Sequence, residues 1–220
     1  MKMNKLSDFL GGIKVLEEVD SPINGKIAVV KSLSFGTSIQ VGGLTQSGGI
    51  VTSIWNKTLR KVKNSKLKIK NCLVLGLGGG GIAGVIKEFW PEAEITAVDI
   101  DPVMVELGKK FLKLDNKNVK IVISDAFDFL TDHRPLNTDH FDLICIDLYL
   151  GDEFPKKFES KNFIRLVRSH LVKGGVCVFN RLYYGEKRKM SVKFGELLEK
   201  VFPKVDIYYP EANVMFVCRN

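Results

Sequence analysis

Cys72-Leu73-Val74-Leu75-Gly76-Leu77-Gly78-Gly79-Gly80-Gly81-Ile82 is the stretch that decides the fold of this 220-residue chain. Its first four residues are apolar, as in a strand that is covered on both faces. The glycines that follow allow the backbone to approach a ligand closely and leave the first amides of the next helix free. Their spacing fits G-x-G-x-x-G, so we predict that Gly76, Gly78, Gly79 and Gly80 bind a ligand, with a plain tight turn as the alternative.

The same order of strand, turn and helix recurs after this stretch. Apolar strands are predicted at residues 72–75, 95–98, 119–123, 141–146 and 176–179, with segments of helical spacing between them. Residues 205–218 then predict two strands joined by a tight turn. These patterns predict an α/β fold, namely a doubly wound, mostly parallel, seven-stranded Rossmann-like sheet with a C-terminal antiparallel hairpin.

The residues before this repeat predict a smaller unit of a different kind. Residues 26–31 and 38–41 are β-prone and predict a hairpin, and a third extended segment runs through residues 44–46. Residues 50–62 have helical spacing, and a short amphipathic helix is predicted over residues 5–17. We therefore expect an N-terminal β-hairpin region over residues 1–62 and the Rossmann-like domain over residues 63–220.

Three aspartates stand at the ends of successive predicted strands. Asp99 is placed to accept hydrogen bonds from two ribose hydroxyls. Asp125 can accept one from the exocyclic amine of adenine while the backbone N–H of Ala126 donates to a ring nitrogen, and helix capping is its alternative role. Asp147 can orient a nucleophilic amine and take its proton, with loop capping as the alternative. The three together predict an adenosine site at the carboxyl edge of the sheet.

Composition bears on the other classes of function. The net charge is +8, and many of the lysines lie between Lys57 and Lys70, a run that can attract nucleic acid. Because no aromatic residues are interleaved with them, a solvated surface is favoured over nucleic-acid binding. No apolar stretch is long enough to cross a membrane. The four cysteines lie singly in apolar runs, which predicts a cytoplasmic protein without a metal site.

Four segments, read in order, resemble the spermidine synthase family: Leu73–Ile82, Ala97–Pro102, Ser124–Ala126 and Phe141–Asp147. Residues 21–49 also resemble the N-terminal β domain of that family. The resemblance implies the class I S-adenosylmethionine-dependent methyltransferase fold, with S-adenosylmethionine or its decarboxylated form as co-substrate, a small-molecule amine as acceptor, and a homodimer. It implies that Gln46 lies beside the nucleoside and the glycine turn around the sulfonium, that Asp99 holds the ribose and Asp125 the adenine amine, and that Asp147 is the catalytic aspartate.

The departures from the family pattern fall on the groups that would recognise a diamine. Gly79 stands where the family has an aspartate that binds the amine of the donor, and Trp55-Asn56 replaces Tyr-His. The acidic segment after the catalytic aspartate becomes Leu148-Tyr149-Leu150. We predict a transferase that moves an aminopropyl group from decarboxylated S-adenosylmethionine to an amine, with methyl transfer from S-adenosylmethionine as the alternative. An NAD-dependent oxidoreductase and a nucleoside-binding module without turnover are further alternatives.

Overall fold

The computed structural model describes residues 12–65, 67–132 and 140–220. A four-stranded antiparallel sheet comes first, in the order of its strands along the chain: β1 (Ile13–Ser21), β2 (Gly25–Ser32), β3 (Gly36–Val41) and β4 (Leu44–Gly48). The predicted hairpin and third extended segment are therefore present. The helix predicted over residues 5–17 is wrong for residues 13–17, which lie in β1, and residues 5–11 lie outside the described residues. Pairing with β2 outweighs the weak helical spacing there, and β1 alternates inner and outer side chains.

Helix α1 (Gly49–Asn64) leads from the small sheet to the large one. Its buried side chains, among them Ile54, Trp55, Leu59 and Val62, belong to the same apolar cluster as the strands of the large sheet. The predicted boundary between residues 62 and 63 thus falls in the last turn of α1. The division into two domains stays a prediction.

The large sheet has seven strands, as predicted, in the order β10-β11-β9-β8-β5-β6-β7. Strands β5 to β9 run parallel, and β11 is antiparallel to both β9 and β10. Their bounds are β5 (Asn71–Leu75), β6 (Glu94–Asp99), β7 (Val119–Ile123), β8 (Phe141–Ile146), β9 (Leu171–Leu182), β10 (Lys204–Tyr208) and β11 (Asn213–Arg219). Strand β5 pairs with β6 on one side and β8 on the other, so the chain reverses its direction of winding at β5. A ligand crevice is expected at the carboxyl end of such a point.

Helices cover both faces of the large sheet and connect its strands. These helices are α2 (Gly81–Phe89), α3 (Pro102–Leu112), α4 (Ala126–Asp132), α5 (Lys161–Ser169) and α6 (Lys187–Glu199). One apolar cluster joins α1 and α2 to one face of the sheet, and a second cluster joins α4, α5 and α6 to the other face. Asp101 caps α3 as the sequence predicts, since its carboxylate accepts a hydrogen bond from the backbone N–H of Val103. Within the described ranges, no helix is both long enough and apolar enough to cross a membrane.

Candidate active site

A cavity of about 450 Å³ lies at the carboxyl ends of strands β5 to β8, partly covered by the four-stranded sheet. Seven of the nine predicted site residues line it: Gln46, Gly76, Gly78, Asp99, Asp125, Ala126 and Asp147. The other two, Gly79 and Gly80, are not among the residues that line it. The ends of the parallel strands thus bring together residues from Gly76 to Asp147, as expected for parallel strands whose carboxyl ends share one edge.

The glycine turn approaches the neighbouring strands so closely that side chains are excluded from it. A Cβ atom on Gly76 would lie 2.1 Å from the carbonyl oxygen of Asp147, and the backbone φ of Gly76 is +87°, in the left-handed region. The backbone N–H of Gly78 donates a hydrogen bond of 2.6 Å to Asp99. The turn therefore joins the ends of β5, β6 and β8 at one point of the cavity wall.

Gly79 and Gly80 face away from that wall. A Cβ atom on Gly79 would lie 2.6 Å from Cδ1 of Leu112 and 2.7 Å from Cδ1 of Ile39. The space beside Gly79 is thus occupied by the ends of two side chains, one from α3 and one from the small sheet. Gly80 precedes α2 in a left-handed conformation, with φ of +84°.

The carboxylate of Asp99 accepts hydrogen bonds from backbone amides, and Asp99 also lines the cavity. One carboxylate oxygen accepts from the N–H of Gly78 and the other from the N–H of Asp101, at 2.6 and 2.9 Å. Burial raises the pKa of Asp99 above its ordinary value, although these hydrogen bonds lower it. The N–H of Ile100 is a third backbone donor, and because a carboxylate offers about four lone-pair sites, Asp99 can still accept from a ribose hydroxyl.

Asp125 performs the capping role that the sequence left open, and it also lines the cavity. Its Oδ1 accepts from the backbone N–H of Phe127 at 2.8 Å, at the start of α4, and its Oδ2 is paired with the ammonium of Lys157. Ala126, whose N–H was predicted to donate to a ring nitrogen of adenine, lies beside Asp125 in the same cavity wall. One carboxylate oxygen of Asp125 is thus engaged by the start of α4 and the other by Lys157.

Asp147 is held by two side-chain donors from opposite sides. The indole Nε1–H of Trp55 donates to its Oδ2 and the amide Nδ2–H of Asn180 donates to its Oδ1, each at 2.8 Å. Asn213 in turn donates to the amide oxygen of Asn180 at 2.8 Å. Burial raises the pKa of Asp147 to about 6, and the two hydrogen bonds oppose that rise. A carboxylate with this pKa is ionised at neutral pH and can still accept a proton.

Sequence reasoning missed Trp55, Asn180 and Asn213 as members of the site. Asn180 follows the apolar run Val176–Phe179, just as Asp147 follows the apolar strand β8, and this position was the signal that could have found it. Gln46 was predicted, and it donates through Nε2 to the carbonyl oxygen of Gly151 at 2.9 Å. Gln46 thereby ties β4 to the loop that follows Asp147. No cluster of metal-binding side chains occurs among the residues that the structure describes.

Comparisons with known proteins identify a family and several relatives. Residues 57–212 match the family described as the spermine/spermidine synthase domain. An eEF1A lysine and N-terminal methyltransferase homolog of Drosophila melanogaster is 29% identical over 206 residues, which is 89% of this chain and 30% of that protein. A polyamine aminopropyltransferase of Vibrio vulnificus is 26% identical over 143 residues, which is 62% of this chain and 48% of that protein.

Solved structures show the same fold. The structure of spermidine synthase from Thermotoga maritima superposes with a TM-score of 0.77 at 18% identity, over 94% of this chain and 72% of that one. The predicted fold class is thereby confirmed. The chain spans less than half the length of the two curated relatives named above.

Proposed function

This chain belongs to the family of the spermine/spermidine synthase domain, and from that premise we propose that it transfers an alkyl group from an S-adenosylmethionine-type donor to an amine. The observation that carries the proposal is the position of Asp147. Its carboxylate is fixed by two donors in the same cavity wall as Gly78 and Asp99. A base is thus held beside the place proposed for the sulfonium.

The site residues divide the work between the donor and the acceptor. Asp99 would hold the ribose, and Asp125 with Ala126 would contact the adenine. The amine nitrogen would attack the carbon next to the sulfonium, forming a C–N bond as the C–S bond breaks and its electron pair passes to sulfur. The proton released by the amine would pass to Asp147, as general base catalysis requires. The thioether product and the alkylated amine would then leave.

The first candidate for the transferred group is aminopropyl, with decarboxylated S-adenosylmethionine as donor. The family match and the similarity to a polyamine aminopropyltransferase support this candidate. The second candidate is methyl, with S-adenosylmethionine as donor. One observation favours it: the position of the family's amine-binding aspartate is Gly79, packed against Leu112 and Ile39 and away from the cavity. The similarity to an eEF1A lysine and N-terminal methyltransferase homolog is in line with this second candidate.

Titration calorimetry and product analysis test both candidates. We expect 5′-methylthioadenosine and S-adenosylhomocysteine to bind, and NAD not to bind. Turnover with each donor in the presence of amines would then release one of these two thioethers, which mass spectrometry identifies. Asp147→Asn should keep nucleoside binding and lose turnover by about 100-fold or more. If no adenosyl-sulfur compound binds, the proposal fails. The cytoplasmic location, the homodimer and nucleic-acid binding stay predictions.

A further inference from the structure

The side of the cavity that faces the acceptor is built by two elements, α1 and the turn between β10 and β11. Trp55 comes from α1 and Asn213 follows the turn, and both belong to the network that fixes Asp147. Lys57 and Glu211 lie two residues from these positions and form an ion pair between the same two elements. We call this region, defined by Trp55, Asp147, Asn180, Asn213 and the pair Lys57–Glu211, the acceptor side.

On the acceptor side, no carboxylate of a described lining residue is free to bind a second ammonium group. Among the described residues that line the cavity, four are acidic, and Asp99 and Asp125 belong to the proposed nucleoside end. Asp147 is the base, and Glu211 is neutralised by Lys57. Outside the lining residues, the nearby Asp152 is paired with Lys187 at 2.8 Å. Each acidic residue that lines the cavity within the described ranges is thus paired or already assigned a role.

The remaining surface of the acceptor side is neutral. Leu150, Tyr184 and Ala212 line the cavity there, and Leu150 and Tyr184 are exposed enough to contact a bound molecule. Glu211 adopts a left-handed conformation with φ of +53°, which is uncommon for a residue other than glycine. The turn therefore holds Glu211 in a defined place, in reach of Lys57.

We propose that the acceptor is a monoamine, that is, a molecule whose single amine reaches Asp147 and whose neighbouring part carries no second positive charge. This inference rests on the proposed function. The reacting amine must be neutral to attack the donor carbon, and it gives its proton to Asp147 as the new C–N bond forms and the C–S bond breaks. The distal ammonium of a diamine would remain charged throughout, and removing such a charge from water is unfavourable without an ionic partner.

Binding of two amines of equal length tests the inference. The protein is first saturated with 5′-methylthioadenosine, and binding of this nucleoside reports on the proposed donor site separately. Calorimetry then compares 1-aminobutane with 1,4-diaminobutane at pH 9, where part of each amine is neutral. We expect 1-aminobutane to bind at least as tightly as the diamine. Tighter binding of the diamine, or binding of neither amine to a nucleoside-loaded protein, overturns the inference.

A pair of variants tests the role of the ion pair. Lys57→Gln releases the carboxylate of Glu211 and should improve binding of the diamine relative to the monoamine by about two- to fivefold, the range of a partly exposed ion pair. The double variant Lys57→Gln/Glu211→Gln is the matched control and should return the ratio to that of the wild type. Both side chains are largely exposed, so neither change is expected to prevent folding. An unchanged ratio in Lys57→Gln contradicts the assignment of Glu211 to the acceptor side.

Discussion

Removal of the hydrogen bond from Asn180 should change the pH at which the enzyme becomes active. Burial raises the pKa of Asp147, and the amide of Asn180 stabilises the ionised form and opposes that rise, so that the pKa is about 6. A hydrogen bond to a charged group contributes about 1.5–3 kcal/mol, and about 1.4 kcal/mol corresponds to one pKa unit. In Asn180→Leu the pKa of Asp147 should therefore rise to between about 7 and 8.

The assay is the pH profile of kcat/KM from pH 5 to 9, followed by release of the thioether nucleoside with one fixed amine. Asp147 acts as a base, so activity is lost as the pH falls through its pKa. The wild type should lose activity below about pH 6, and Asn180→Leu should lose it below about pH 7 to 8. Titration of the amine itself affects both proteins equally and cancels in the comparison.

Asn213→Leu is the matched control for this experiment. Asn213 donates to the amide oxygen of Asn180 and has no contact of its own with Asp147 in the described network. Its removal should leave the acid limb of the pH profile near the wild-type position. Each of the two variants leaves a buried polar group without a partner, and each should lose about 1–3 kcal/mol of stability. The reasoning is refuted if Asn180→Leu lowers the rate while its acid limb stays at that of the wild type.

Four further variants test other parts of the site. Asp147→Asn should remove a pH dependence of stability. The folded-state pKa of Asp147 is raised from 3.8 to about 6. The free energy of unfolding of the wild type should therefore fall by on the order of 3 kcal/mol as the pH rises between these values. Melting curves at pH 4 and 7 should show no such loss in the variant. Gly108→Ala places a Cβ atom 2.5 Å from Cα of Gly79, where backbone must move. Gly108→Ala should lower the free energy of unfolding by about 1–3 kcal/mol in melting experiments and weaken nucleoside binding. Lys109→Ala, on the same helix, should leave nucleoside binding unchanged. Gly79→Asp should displace the ends of Leu112 and Ile39 and give no tighter binding of the decarboxylated donor, and a gain in that affinity would contradict the packing described at Gly79. Lys157→Ala frees one oxygen of Asp125 and should strengthen 5′-methylthioadenosine binding about two- to fivefold in calorimetry, while weaker binding would mean that Lys157 contacts the nucleoside itself.

Most of the large sheet can be predicted because its signals are local. Most of the parallel strands contain a short apolar run, and local signals follow three of them: Gly76 after β5, and Asp101 and Asp125, which cap the helices after β6 and β7. Residues 13–17 could not be predicted in the same way. They form a strand because β2 supplies the hydrogen bonds, and that partner is recognisable only once the hairpin has formed.

The difference between local signals and long-range packing also separates the site residues that were predicted from those that were missed. Asp99, Asp125 and Asp147 lie at or just after the carboxyl ends of β6, β7 and β8, so the topology alone brings them to one edge. Trp55 comes from a helix that precedes the large sheet, and Asn213 from the antiparallel hairpin that ends it. Their convergence on Asp147 depends on how α1 and β11 pack against β8 and β9. The direction in which Gly79 faces depends likewise on Leu112 and Ile39, and no local pattern reports it.

The packing around Gly79 also bears on the relative affinities expected for S-adenosylmethionine and its decarboxylated form. A charge-assisted hydrogen bond from the donor's amine to an aspartate would contribute about 1.5–3 kcal/mol, and the turn lacks that acid. What remains is the N-terminus of α2, which has no acidic residue in its first turn and favours a carboxylate by about 0.3–1 kcal/mol. The glycine turn should therefore prefer S-adenosylmethionine over its decarboxylated form by no more than about fivefold. A larger preference in either direction would have to come from the other cavity residues. Because the ends of Leu112 and Ile39 occupy the space beside Gly79, an aspartate placed there would have to displace both side chains.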